Sequence, residues 1–433
     1  MPELTLSRPR FRPYRAGVSL RQLLRGFLLQ PPVLSHHART ELERAVLRYV
    51  GGQHAVAVPM CRVGLFLTLR ELINSGQEVL VTPYTIHDVV NMVLCAGGVP
   101  RFVDISSETL TYTSREFARH LSSAVGAVIA THIFGCAEGI SEIASLCHAK
   151  GIPLIEDCAQ ALGARVQGRH VGTWGDVGLF SFGMAKNLNV FRGGIVITRD
   201  GDLAARVRSA MEGWKASSRS LFSRLACDYL IRRFLTRDGV FSSFVQPFVR
   251  WLYLHGPRAL EWQLHGERLP RRRDRLPDHY QRQCHPLMRD MATAQFMSLD
   301  QHAAERLQYA EAYRRGLDGI PAVQLPLARH DGSHIYLAYP IQVGQRDSLI
   351  RYLVDHGRDI TSASYSDNSS AACFREYRAD CPVARQAAAS VVLLPTYPGY
   401  GLDQVHANLR LIRSYFSLKG GEPACMETSA SVG

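Results

Sequence analysis

Between Thr40 and about Ala210 the chain alternates two apolar rhythms. Short unbroken runs rich in Val and Ile, namely "HAVAVPM", "EVLVTPY", "PRFVDI", "AVIATHIFG", "PLIEDCA", "VGLFSFG" and "GGIVITRD", are bounded by turn residues and read as buried strands. Between several of them apolar residues recur at helical spacing, as in Val63 to Asn74, His87 to Cys95 and Glu138 to Lys150. This alternation predicts an α/β fold, a mostly parallel central sheet sandwiched by helices, because a parallel strand pair needs a crossover that covers the sheet. Ligands of such sheets bind at the strands' C-terminal ends, where Tyr84, His132, Asp157 and Ser181 fall.

The rhythm breaks over 212–285, a segment rich in Phe, Leu, Trp and Arg that closes on "RLPRRRDRLPD". Two or three amphipathic helices and a basic loop are predicted there. Such an insertion packs on the body or on a partner subunit, or its aromatic and arginine side chains over 212–275 make peripheral contact with an anionic membrane. From about Met291 a long helical pattern leads into a smaller alternating unit with candidate strands "HIYLAYPIQV" and "SVVLLPTYP" and helices Gln345 to His356 and Leu402 to Leu418. The expected organisation is a basic N-terminal arm (1–39), a large α/β domain (40–211), the insertion (212–285), a linking helix with a small α+β C-terminal domain (286–418), and a tail (419–433) with too little to bury to be ordered.

Composition narrows the function. At 433 residues, 46% of them hydrophobic, the chain is long enough for a large core and two folding units. A net charge of +12 and a pI of about 9.4 suit an anionic partner: a phosphorylated metabolite, a nucleotide, an acidic membrane surface or nucleic acid. Nucleic acid has nothing but the net charge behind it and is not expected as a partner. The 10 cysteines show no CxxC pair and no metal-ligand spacing, which suits reduced thiols in a cytoplasm and predicts no metal site. The basic N-terminus is cut by Pro9 and Pro13 and makes a poor signal peptide, so the expected location is cytoplasmic, at the inner membrane face if the insertion meets lipid.

Two residues carry the chemistry. Lys186 follows "SFG" on a loop after a buried run, with the Ser181 hydroxyl before it and Gly193-Gly194, which permits close backbone approach, after it. A partly desolvated lysine of this kind forms a Schiff base with an aldehyde cofactor. Asp157 ends an earlier strand and, taken alone, would serve equally as a helix cap at Cys158. Beside Lys186 it has another use, since pyridoxal phosphate needs a carboxylate that keeps its pyridinium nitrogen protonated.

The stretch "PLIEDCAQALGARVQGRHVGTWGDVGLFSFGMAKNLNVFRGGIVIT" resembles the core of the DegT/DnrJ/EryC1/StrS family, pyridoxal-phosphate-dependent sugar aminotransferases of fold type I. "VTPYTIHDVVNMVLCAGGVPRFVDI" and "AVIATHIFGCAEGI" resemble its earlier strands, and "YLAYPIQVGQRDSLIRYLVDHGRDITSASY" and "VVLLPTYPGYGLDQVHANLRLIRSYF" its C-terminal domain. The resemblance implies that Lys186 is the Schiff-base lysine, Asp157 the pyridinium partner, Gln160 a contact to the cofactor's ring oxygen, Ser181 a phosphate ligand, Tyr84 a ring stacked on the cofactor, and His132 a histidine on the substrate side of the pocket, for which a packed core histidine is an equal alternative. Where the family usually has Ser-Gly-Thr holding the phosphate, this chain has Met60-Cys61-Arg62, so Cys61 and Arg62 take that place, the first through a helix N-terminus and the second through a charge-assisted contact. Gly183 stands where a histidine is common, and Gln281 to Asp290 match poorly where the family supplies an asparagine to its partner subunit's site.

The implied activity is transfer of an amino group from glutamate to a keto sugar carried on a nucleotide, by a homodimer. Dehydratases of the family carry histidine at the lysine position, which Lys186 argues against. The altered Met60-Cys61-Arg62 keeps a catalytically altered cofactor-binding regulator open as an alternative, and the insertion keeps open an enzyme acting on a membrane-associated, lipid-linked sugar.

Overall fold

The computed structural model describes residues 8, 9, 21, 35–215, 217–256, 270–283, 286–328, 331–362 and 365–418. Most of the expected N-terminal arm and all of the expected tail lie outside these residues.

Seven strands form the central sheet: β1 (His54–Val58), β2 (Glu78–Val81), β3 (Val99–Phe102), β4 (Val125–Thr131), β5 (Leu154–Asp157), β6 (Val177–Ser181) and β7 (Gly194–Thr198), in the order β1-β7-β6-β5-β4-β2-β3. The pairs β3–β2, β2–β4, β4–β5 and β5–β6 are parallel. β7 runs antiparallel to both β6 and β1. The connection 182–193 forms no crossover helix, and the chain turns back beside β6 and places Gly194 opposite Ser181. That return loop carries Lys186.

Every residue of β4 and β7 is buried, so both sheet faces are covered and the strands read as continuous apolar runs rather than alternating ones. On one face pack α2 (Cys61–Leu72), α3 (His87–Cys95) and α6 (Gly201–Ser209), through Val63, Leu65, Val89, Val90, Leu203 and Val207 against Val56, Ile129 and Val196. On the other pack α1 (Ser35–Val50), α4 (Ser114–His120) and α5 (Ile140–Lys150), through Leu42, Val46, Phe117, Ile140 and Ile143 against Ala57, Val128 and Ile195.

Among the described residues, the break at 212–285 includes two longer helices and a basic loop. α7 (Arg219–Leu235) begins where the Ser218 hydroxyl accepts from the Leu221 N–H at 3.1 Å, and it sinks Phe222, Ala226 and Tyr229 into the second of those cores, with Phe191 edge-on to Phe222 and Tyr229. A π-turn over Phe241–Val245 leads into α8 (Gln246–His255). α8 lies on the small domain, where Arg250 donates to Asp355 at 2.8 Å and Arg351 to the Leu254 carbonyl at 3.2 Å.

After α9 (Pro286–Thr293), the long α10 (Leu299–Leu317) leads to β8 (Val323–Gln324), β9 (Tyr339–Val343), α11 (Arg346–Asp355), β10 (Thr361–Ser362), α12 (Pro382–Ser390), β11 (Val391–Leu394) and α13 (Leu402–Leu418). The four strands pair antiparallel in the order β8-β9-β11-β10 around a separate core that includes Tyr313, Ile341, Leu353 and Ile412. The apolar run from His334 predicts a longer strand than forms. Its first residues bond elsewhere: the Ile335 and Leu337 N–H groups donate to the Gly135 and Phe134 carbonyls, and Tyr336 takes a left-handed φ of 46°.

Candidate active site

The C-terminal ends of β4, β5 and β6 meet the return loop as the sequence predicts. Asp157 closes β5 buried, and its Oδ1 accepts from the Ala159 N–H at 3.0 Å, so it does cap the turn beginning at Cys158. Burial nevertheless raises its carboxyl above the ordinary aspartate range, against the opposing pull of that N–H and of the Lys186, His132 and Arg62 charges. Lys186 and Asp157 therefore lie within electrostatic reach. A protonated ring nitrogen set against Asp157 would supply the cation that this desolvated carboxylate needs. Ala185, just before Lys186, holds a left-handed φ of 65° that favours glycine, a strain located at the lysine itself. Ser181 is half-buried, and its Oγ accepts from the Gly183 N–H at 3.3 Å, leaving its own proton to donate. A Cβ at Gly183 would meet only Ser181 Oγ, at 3.5 Å, so the glycine leaves space where a ring is common in the resembling family.

Behind Asp157 lies a polar chain that sequence reasoning missed. His132 is fully buried after β4; its Nδ1 lies 2.7 Å from the Tyr112 hydroxyl and its Nε2 3.1 Å from Glu156 Oε2. Glu156 Oε2 also accepts from the Gly172 N–H at 2.7 Å, and Oε1 from the Gly175 N–H at 2.8 Å. Both nitrogens of His132 are thus engaged within the protein. The ligand atoms of His132, Glu156 and Cys158 come within 4.8 Å of one another, the spacing of a metal site. The chemistry is wrong for one: Glu156 is saturated with donors, and burial with the Glu156 and Asp157 charges pushes the Cys158 thiol well above its usual range, keeping it protonated.

Gln160 is buried, and its Oε1 accepts from the Phe134 N–H at 3.0 Å, which leaves the amide N–H groups to donate. Tyr84 is buried too, edge-on to Phe134 and Tyr365, and its hydroxyl is an orphan with no partner among the described residues. An orphaned buried hydroxyl costs about 1–3 kcal/mol unless something arrives to bond it. Tyr84 also ties the two domains: Tyr84–Thr85 pairs with Ser366–Asp367, and the Asn368 amide donates to the Pro83 and Thr85 carbonyls, both at 2.8 Å.

On the opposite side α2 opens at Cys61, with Met60 as an N-cap that offers no side-chain bond. Gly194 allows the closeness of β7 to this turn, since a Cβ there would sit 2.6 Å from the Cys61 nitrogen. Desolvation and the Asp157 charge push the Cys61 thiol well above its usual range, while Lys186 and Arg62 pull it down. Arg62 does not stand ready in the position of a threonine hydroxyl. Its guanidinium bonds the Asp88 carboxylate, which also receives Arg273 at 2.6 Å and the Tyr280 hydroxyl at 3.2 Å. Asn91 fastens the same stretch, donating to the Arg271 carbonyl at 2.8 Å and accepting from the Arg273 N–H at 2.9 Å. The basic loop of the insertion is thereby fixed to α3 beside the site.

Residues 29–223 and 287–410 match the DegT/DnrJ/EryC1/StrS aminotransferase family. The chain is 27% identical over 386 residues to a UDP-N-acetyl-3-dehydro-alpha-D-glucosamine 3-aminotransferase of Acidithiobacillus ferrooxidans, covering 88% of this chain and 89% of the relative. It is 26% identical over 375 residues to a GDP-perosamine synthase of Vibrio cholerae, covering 84% and 87%. In fold it is similar to the aminotransferase TlmJ from Streptoalloteichus hindustanus, with a TM-score of 0.73 at 22% identity over 95% of this chain and 100% of that one. The residues between the two matched segments, 224–286, take in most of the insertion, 224–285.

Proposed function

Because the chain belongs to the DegT/DnrJ/EryC1/StrS aminotransferase family, we propose that it transfers an amino group from glutamate to the ketone of a nucleotide-linked sugar, with pyridoxal phosphate as cofactor. The observation that carries this reading is the meeting of a desolvated Asp157 with Lys186 at the sheet's C-terminal edge. Both curated relatives named above carry sugar-nucleotide names, one a UDP-sugar 3-aminotransferase and the other a GDP-perosamine synthase.

Lys186 would hold the cofactor, Asp157 its ring nitrogen, Gln160 its ring oxygen through the amide N–H, and Ser181 with the backbone N–H groups opening α2 its phosphate. Bound there, pyridoxal phosphate supplies an electron sink for the negative charge left when a proton leaves carbon. Asp157 keeps the proton on the ring nitrogen. Lys186 Nζ takes the proton from the donor's α-carbon and returns one at the sugar carbon that receives the amine. His132, anchored by Tyr112 and Glu156, is held in orientation behind Asp157 rather than meeting substrate.

The test is a two-stage incubation of cofactor-loaded protein. Glutamate alone should release 2-oxoglutarate, and a UDP- or GDP-linked keto sugar added next should gain an amine by mass spectrometry. Lys186→Ala should lose the visible absorbance of bound cofactor and fall on the order of a thousandfold or more in rate. Loaded wild type that yields neither product would place the chain with the regulators.

A second reading concerns location. Among the described residues Ile231, Phe234, Leu235, Phe244, Phe248 and Trp251, all within the insertion, are large exposed hydrophobics. Over 212–285 fourteen Lys and Arg face seven Asp and Glu, a net +7 of the chain's +12. No described helix is long and apolar enough to cross a membrane. An apolar stripe set among arginines suits an anionic lipid surface. Flotation with vesicles containing phosphatidylglycerol, lost on Phe244→Ser with Phe248→Ser, is expected; no flotation, with the stripe instead buried in a stable homodimer by light scattering, would assign it to the partner subunit.

A further inference from the structure

We propose that the guanidinium groups of Arg62, Arg192 and Arg273, gathered around the Tyr280 ring, form a second binding site for a phosphoryl group at the edge of the Asp157–Lys186 pocket. Their Cζ atoms lie 6.0, 5.9 and 5.7 Å from the ring centroid. Three cations around one ring are not required by packing, and mutual repulsion opposes them. Arg62 and Arg273 share a single carboxylate, Asp88, so the pair keeps net positive charge. Arg192 adds a third guanidinium to the group, and its Nη2 donates to the His279 carbonyl at 3.2 Å. The field is felt locally: burial lowers the affinity of His279 for a proton, and the Arg192 and Arg273 charges lower it further.

The group is also open enough to be used. Asp88 is buried at 6% side-chain exposure, whereas Arg62 and Arg273 keep 35% and 31%. The carboxylate therefore fixes the guanidiniums from behind while water still reaches them. Arg62 acts on the Asp157 charge, and Arg192 immediately precedes the Gly193-Gly194 pair that lies against Cys61. The cluster therefore adjoins the loop that carries Lys186. One carboxylate is satisfied by one guanidinium fork; several forks match a group with many anionic oxygens. Two sources carry such a group, the substrate's diphosphate and the cofactor's phosphate monoester, and naming the diphosphate rests on the proposed function above.

Calorimetry with UDP and with inorganic pyrophosphate on cofactor-loaded protein, and absorbance titration of cofactor into the apoprotein, separate the sources. Arg273→Gln should weaken UDP and pyrophosphate by on the order of tenfold, less so in high salt, with cofactor affinity unchanged. Asp88→Asn should act in the opposite direction, tightening both by removing the competing charge even if the loop loosens. Weakened cofactor with unchanged UDP in Arg273→Gln would assign the site to the cofactor's phosphate. If neither affinity moves in Arg273→Gln and Asp88→Asn does not tighten pyrophosphate, the arginines only pin the loop and the proposal is overturned. Arginine-dependent pyrophosphate binding without amination of any UDP- or GDP-linked keto sugar would keep this site and sink the proposed function.

Discussion

Two polar groups flank Asp157, and they are built on opposite plans. Behind it, the Tyr112–His132–Glu156 chain has no exposed surface at His132 or Glu156, and its acceptors are met by His132 and two backbone N–H groups. Beside it, Arg62 and Arg273 stay about a third exposed over the buried Asp88, and the group holds more cation than anion. A closed network of matched donors sets geometry and rejects anything further, because a new arrival would orphan a buried partner. An open group with surplus charge keeps its strength for something that arrives. Asp157 lies between the two, desolvated like the first and undercompensated like the second.

That intermediate character gives the largest expected effect. Since burial raises the folded carboxyl above its unfolded value, the apoprotein's stability from this group is full at low pH and is lost as pH rises through the raised value. Asp157→Asn should therefore raise the apoprotein's melting temperature at neutral pH while weakening the cofactor by about tenfold to a hundredfold. A variant that lost stability would show that Asp157 is already paired without cofactor.

The closed side breaks next. Glu156→Gln turns an amide N–H toward a backbone donor or toward His132, and should cost about 1–3 kcal/mol in denaturant unfolding. An unchanged midpoint would mean the chain is looser than its geometry. Acid tests the same principle elsewhere: burial lowers His170 to about 4 and His334 to about 3, so both are neutral in the fold, and the unfolded chain takes up protons first below about 6.5. Stability present above that pH should fall toward pH 4.5 by on the order of 2 kcal/mol for each of the two, the loss smaller in His334→Asn. The smallest effect sits on the lysine loop, where Ala185→Gly should stabilise by about 1 kcal/mol through relief of its left-handed φ, with Lys186 less firmly aimed.

The sheet and the Asp157–Lys186 pair were legible because period and strand ends are local properties. Seven apolar runs became seven paired strands, and helix His87–Cys95 matches its pattern residue for residue. Arg62 was misplaced for a reason equally physical. Its destination depends on Asp88 and on Tyr280, far along the chain in a loop whose composition says only that it is basic. Glu156 left a faint signal, a carboxylate inside a fully buried strand, which must find donors somewhere. The strain at Ala185 left none, since alanine gives no sign of a left-handed backbone.

The position of β1 bears on how the protein is made. Among the described residues this edge strand has one neighbour, β7, and His54 pairs with Thr198, about 140 residues later in synthesis. At translation rates of roughly 5–20 residues per second, the N-terminal strand emerges on the order of ten seconds before its mate exists. Throughout that interval the helix bearing Cys61 and Arg62 has an apolar face and only part of the sheet to lay it on. A nascent chain arrested before Gly194 should thus be a client for trigger-factor-like holders, released only when the last strand slides into the gap.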